Sequence, residues 1–368
     1  MSEFQTYKAD LTRGRLVDTD EPTALTQLQQ GNILLRVERF AFTANNVTYG
    51  AAGDTIGYWK FFPASENPSC EWGCLPVWGF AEVVAAKVEG IEVGERVYGY
   101  LPPAAFVVLS PVAVSAQRFI DGSRHRAELP PVYNYYQRLS GEVGYDRALD
   151  NTRALLHPLH VTSFCLCDEL EDANYYDVEQ IIVLSASSKT AIGMAQGLAE
   201  QAQSPSVVGV TSPDNRDFVA ALGCYDEVHC YDDLSQIDGH KSSIMVDMAG
   251  NRDVLGAVHA ALGDNMRRCI SVGMTHWQSL TDQNPLAAQI NRQRSHFFFA
   301  PAHVQKRIGD WGAEEFALRS AQFVATRMRQ SVAWMTVEEI SGLPALQDIY
   351  SDLVVGNSNP RNGLVVVL

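Results

Sequence analysis

Residues 181–216 read IIVLSASSKTAIGMAQGLAEQAQSPSVVGVTSPDNR, and this stretch decides the fold. The apolar run 181–184 is a strand. It meets a turn of small polar residues and then a helix, in which Ala191, Met194, Ala195 and Leu198 recur at helical spacing. A second strand follows at 207–211. Strand, tight turn, helix and strand over this span make the first βαβ unit of a nucleotide-binding sheet. A helix that starts directly after a buried strand aims its unpaired N–H groups at whatever lies above the sheet, which suits a phosphate. The fingerprint G-x-G-x-x-G is absent. Ser185, Ser188 and Ala191 fill its small-residue slots, the hydroxyls of Ser187, Ser188 and Thr190 are donors for phosphate oxygens, and Lys189 adds a charge. An ordinary polar βα turn is the plainer alternative. A Walker loop is disfavoured because the glycines of G-x-x-x-x-G-K-[ST] are missing, and with them goes a nucleoside triphosphatase.

The second strand closes on Thr211 and Ser212, followed by Pro213, Asp214, Asn215 and Arg216. An acid at this point would hold a ribose 2′-hydroxyl; its absence, with an arginine nearby, favours NADP(H) over NAD(H). Ser212 also reads as an N-cap with Pro213 at the first helical position, and Asp214 works against a phosphate. Alternating strands and helices continue to residue 273, so the sheet is parallel and doubly wound. Ligands bind at the carboxyl ends of such strands. That puts Tyr231, Gly250, Gly273 and Met274 among the cofactor-binding candidates. His276 and Trp277 follow, and His276 is a candidate proton donor.

The rest of the chain sets bounds. Its 368 residues allow two domains with sizeable cores. A net charge of −15 argues against nucleic acid and anionic membranes as partners. No apolar run approaches a membrane span, and the N-terminus has no signal-like apolar segment. Seven scattered cysteines disfavour a disulfide framework and set a reducing cytoplasm as the default. His157 and His160 with Cys165 and Cys167 invite a metal reading, but the spacing suits core residues better. Short strands with glycine turns between residues 32 and 109 predict a small β-barrel. An aromatic group (Tyr58, Trp59, Phe61, Phe62) lies within it.

The pieces ILLRVERFAFTANNVTYG, GFAEVVAAKVEGIEVGERVYGY, AAFVVL, IIVLSASSKTAIGMAQGLAE and the closing GLVVVL resemble the medium-chain dehydrogenase/reductase superfamily, in its zinc-free quinone-oxidoreductase-like branch. LPVWGFAEV, VYNYY and VGMTHW are similar to a bacterial subfamily of unknown function. The resemblance implies an α/β protein with a GroES-like β-barrel domain and a Rossmann doubly wound parallel-sheet domain. The expected boundaries are 1–150 for the barrel domain, with an insertion at 111–150, 151–300 for the Rossmann domain, and 301–368 for a return to the barrel. Tyr133, Asn134, Tyr135 and Tyr136 of the insertion are candidates for a substrate pocket, with domain packing as the alternative.

The catalytic-zinc positions of the superfamily correspond here to residues 43–46 and 78–80, which carry no cysteine or histidine, and only Cys70 and Cys74 stand where a structural zinc needs four cysteines. No metal site is expected. The resemblance brings Asn45, Asn46 and Tyr49 near the nicotinamide. Asn45 is then a cofactor contact, Asn46 and Tyr49 are catalytic candidates, and Tyr49 is the hydroxyl for a developing oxyanion. The expected protein is a cytoplasmic homodimer. It would be an NADPH-dependent reductase passing hydride to a small molecule, either a quinone or an α,β-unsaturated carbonyl. An NADP(H)-binding sensor or scaffold without turnover is the rival.

Overall fold

The structure, a computed structural model, describes residues 2–18, 28–273 and 288–368. The chain forms two compact units, Met1–Leu155 with Met335–Leu368, and Leu156–Trp334.

In the second unit, six strands lie parallel: Gln180–Leu184, Ser206–Thr211, Glu227–Cys230, Ser243–Asp247, Met266–Ser271 and Ser295–Phe297. Taken in chain order as one to six, their order across the sheet is 3-2-1-4-5-6, the dinucleotide-binding order, whose switch point lies beside Gln180–Leu184. The central strands Gln180–Leu184 and Ser243–Asp247 are buried along their whole length because both faces are covered. Ile181 and Val183 pack with Ala191, Met194 and Leu198 on one side. Ile182 and Leu184 pack with Val258 and Leu262 on the other. Cys165, Leu166 and Leu170 of the helix Asp150–Asp172 join the first of these layers. Cys165 and Cys167 are therefore core residues, and burial raises both thiols. Among the described residues no group of His, Cys, Asp and Glu is arranged to hold a metal, and no helix is long and apolar enough to cross a membrane.

The unit boundaries differ from the expected 151–300. Helices Ala300–Trp311 and Ala313–Ser331 stay with the parallel sheet, because Val304 and Phe316 complete its core. The chain returns to the first unit only at Met335.

The first unit is a closed barrel. Strand Ile33–Phe42 pairs with Val77–Ala86, which pairs with Arg96–Leu101. The ring continues through Tyr135–Arg138 and Arg118–Asp121 to Pro111–Val112. Phe106–Leu109, one residue upstream of that last strand, pairs back onto Ile33–Phe42. Residues 111–150, expected as an insertion, thus supply strands of the barrel itself. Asn362–Val367 lies against Ile33–Phe42, so the C-terminal run returns to the barrel as its apolar pattern predicts, and Thr336–Ser341 pairs parallel with it. A separate three-stranded sheet joins Ser2–Tyr7, Gly14–Asp18 and Trp72–Gly73.

Candidate functional site

The turn after Gln180–Leu184 is built on Ser185, which sits at φ +57°. This left-handed conformation is one that glycine adopts without strain. A serine holds it here because its neighbours fix it. Its N–H donates to the Tyr231 hydroxyl at 3.0 Å, and the two hydroxyls lie 3.1 Å apart. Ser188 N–H donates back to the Ser185 carbonyl at 2.9 Å, closing the turn. Ser188 then caps the helix Lys189–Ala199, its hydroxyl accepting from Ala191 N–H at 3.3 Å. The buried Thr211 hydroxyl donates to Ser187 at 3.3 Å. Four of the predicted residues are therefore tied across three strand ends. Asn215 Nδ2 donates to the Ser212 hydroxyl at 2.9 Å, and Arg216, exposed, begins the next helix.

Two cations stand at helix N-termini, where the dipole disfavours them. Lys189, the first residue of its helix, is half-buried, and that burial pushes its ammonium down to about 8. Arg216 is the other. An anion between such residues and the helix end would relieve both the desolvation and the dipole. Asp247, at the end of the strand Ser243–Asp247, is a buried carboxylate that accepts from Ala249 N–H and Gly250 N–H. Burial pushes it up to about 6 against the pull of those bonds. Gly250, at φ +76°, is part of this turn. Val272 N–H donates to the Asp247 carbonyl, so the segment reaching Gly273 leaves the sheet alongside. Met274, His276 and Trp277 lie outside the described residues.

In the barrel unit, Tyr49 is buried on the helix Ala44–Ala51. Its hydroxyl accepts from Trp78 Nε1 at 3.2 Å. Burial pushes it up to about 12, with hydrogen bonding from Trp78, Asn45, Tyr100 and Tyr133 pulling the other way. It is a neutral phenol at any physiological pH. Tyr58 packs at 4.5 Å between ring centroids and Tyr100 at 5.6 Å, edge on. The Tyr58 and Tyr133 hydroxyls share a hydrogen bond of 2.9 Å. Asn46 is engaged differently. Its Oδ1 accepts from Thr43 N–H at 2.7 Å and its Nδ2 donates to the Pro76 carbonyl at 2.8 Å. It caps its own helix and ties it to the residue before the strand Val77–Ala86.

A family model described as "Protein of unknown function (DUF2855)" matches residues 40–359. The chain belongs to that family. No curated protein matches it in sequence. Its fold is shared with several solved structures. CurA from Vibrio vulnificus in complex with NADPH is 15% identical, with a TM-score of 0.61 over 100% of this chain and 99% of that one. A putative NADPH:quinone reductase from Bacillus thuringiensis is 14% identical, at 0.57 over 100% and 98%. A mutant enoyl thioester reductase from Candida tropicalis is 10% identical, at 0.53 over 100% of each.

Against this fold, the DUF2855 chain departs from sequence expectation in the barrel. Of the tyrosines at 133–136, only Tyr133 joins Tyr49. Tyr136 stacks on Phe119 at 5.2 Å and donates to the Tyr100 carbonyl. Sequence reading also missed the buried pair Arg126 and Asp121, 3.0 Å apart. Arg126 further donates to the Phe61 carbonyl and the Tyr136 hydroxyl. Asp247 was legible only as the last residue of an apolar strand. An acid closing such a run is the signal that marks it.

Proposed function

We propose that this protein is an NADPH-dependent oxidoreductase that reduces a quinone or an α,β-unsaturated carbonyl without a metal. The observation that carries the reading is the polar turn at the switch point of a 3-2-1-4-5-6 parallel sheet. The residues there fit a dinucleotide: a backbone held left-handed at Ser185, small neighbours, and two cations at helix N-termini. Ser187, Ser188, Thr190 and Lys189 would hold the pyrophosphate, and Arg216 with Ser212 and Asn215 the 2′-phosphate. Thr211 and Tyr231 fix the turn's shape. Gly250 and Gly273 follow neighbouring strands of the same sheet. NADPH, when bound, supplies hydride from its nicotinamide.

Tyr49 is the proposed donor to the substrate oxygen. Trp78 N–H donates to the Tyr49 oxygen, and a phenol held neutral is a hydrogen-bond donor to a developing oxyanion. Asn45 contributes to the Tyr49 environment, and Asn46 positions the helix that carries it. His276 is the second candidate proton donor in this proposal.

The test is loss of NADPH absorbance with a panel of quinones and enones. Tyr49→Phe is expected to lower kcat about 100-fold with little change in KM. NADPH that binds but is oxidised by no member of the panel would overturn the reductase reading in favour of a nucleotide-binding sensor.

A further inference from the structure

The first unit holds a cavity of about 370 Å³, lined by Lys8, Lys60, Trp59, Trp72, Asn67 and His125 together with Pro63, Ala64 and Cys70. Its size falls in the range of small-molecule sites. Its floor is rigid. Trp59 is buried beside two glycines. A Cβ on Gly53 would come within 2.1 Å of the indole, and one on Gly73 within 2.4 Å. Neither glycine needs its conformational freedom, so close approach to Trp59 accounts for both. Trp72 is clamped by its main chain, which exchanges two hydrogen bonds with the Asn67 amide. The Arg15 guanidinium lies 4.2 Å from its ring.

The charged groups are set on that floor. Lys8 Nζ donates to the Cys70 carbonyl at 2.9 Å and lies 5.9 Å from the Trp59 ring. Cys70 holds that carbonyl from a left-handed backbone, φ +57°. His125 Nε2 is anchored at 3.1 Å to the Phe61 carbonyl. An ammonium has three N–H groups, and Lys8 uses one on the rim itself. Two lysines, a histidine and two indoles line the cavity, and among the described residues no acid does, in a chain of net charge −15. The 3-10 turn Tyr58–Lys60 gives Tyr58 to the tyrosine cluster and Trp59 and Lys60 to this cavity. The two sites therefore use different residues of one turn.

We propose that this cavity binds a small planar aromatic monoanion, its ring against Trp59 and Trp72 and its carboxylate at Lys8 and Lys60. Stacking on indole suits an aromatic ring, and a lysine pair without a competing acid selects a carboxylate over its neutral isostere.

The experiment is calorimetric titration of the full chain with 2-naphthoate, benzoate and their neutral amides. The expected result is saturable binding of 2-naphthoate at one site, at least tenfold tighter than its amide. Lys8→Met should weaken the acid about tenfold and leave the amide unchanged. Lys8→Met with Lys60→Met should bring acid and amide level. Lys60 is exposed and Lys8 half-buried, and an unchanged thermal melt will show that the variants are folded. Trp59→Phe should weaken acid and amide alike. Equal affinity for acid and amide, no binding of either, or an acid affinity indifferent to the lysine substitutions would each overturn the proposal.

Discussion

The turn at 185–191 takes most of its residues from one short run and borrows Tyr231 and Thr211 from neighbouring strand ends. The tyrosine cluster of the barrel draws Tyr49, Tyr58, Trp78, Tyr98, Tyr100 and Tyr133 from five separate segments. The first is held by backbone geometry and bonds between near neighbours in the sheet. The second depends on groups outside it, above all the buried pair Arg126 and Asp121, of which Arg126 grips the Phe61 carbonyl and the Tyr136 hydroxyl. Damage to the turn should therefore stay local, whereas damage to the cluster's support should be global.

The largest effect is expected at Arg126. Arg126→Met leaves Asp121 buried without its counter-charge, which costs about 3–5 kcal/mol. Urea unfolding measures this, and a loss below 1 kcal/mol would mean that the barrel does not rest on the pair. A smaller loss is expected at Ser185, whose left-handed backbone a β-branched residue resists. Ser185→Val should cost about 1–3 kcal/mol and abolish nucleotide binding while leaving the near-UV signal of the barrel tyrosines intact. A larger cost than Arg126→Met would reverse the contrast drawn here.

The smallest effect is a slope. In the folded chain the Asp247 carboxyl keeps its proton up to about pH 6, against about 4 when unfolded. The folded state therefore binds more protons in between, and this group's contribution to stability grows as pH falls from 6 to 4. His160 acts the other way. Burial, with Arg327 adding to it, pushes its imidazole down to about 3. The unfolded chain then takes up that proton first, and stability falls as pH drops below about 6.5. In the native chain the two slopes oppose each other between pH 6 and 4. Asp247→Asn removes one of them, so its acid destabilisation should be steeper by about 1.4 kcal/mol per pH unit in that window. Denaturant midpoints at three pH values are enough to test it, and parallel curves for variant and native chain would contradict the assignment.

The same contrast explains what was legible in the sequence. Hydrophobic periodicity and small polar residues identify the βαβ unit because its parts are adjacent. The apolar run 362–367 likewise predicts its own strand. Periodicity does not show that Ala300–Trp311 completes the core of the parallel sheet, since Val304 meets partners more than a hundred residues away. Nor does it separate Tyr133, beside Tyr49, from Tyr136, which stacks on Phe119. Asn46 is read from sequence as chemistry, but its amide is consumed by a helix cap and the Pro76 carbonyl, a use set by the local backbone rather than by its residue type.

Calorimetric titration with NADPH and NADH in parallel tests the central claim most directly, that the turn at 185–191 with Arg216 holds a 2′-phosphorylated dinucleotide. The account predicts NADPH binding, weaker binding of NADH, and an Arg216→Ala variant that loses the preference by about tenfold. Binding of neither nucleotide would contradict it.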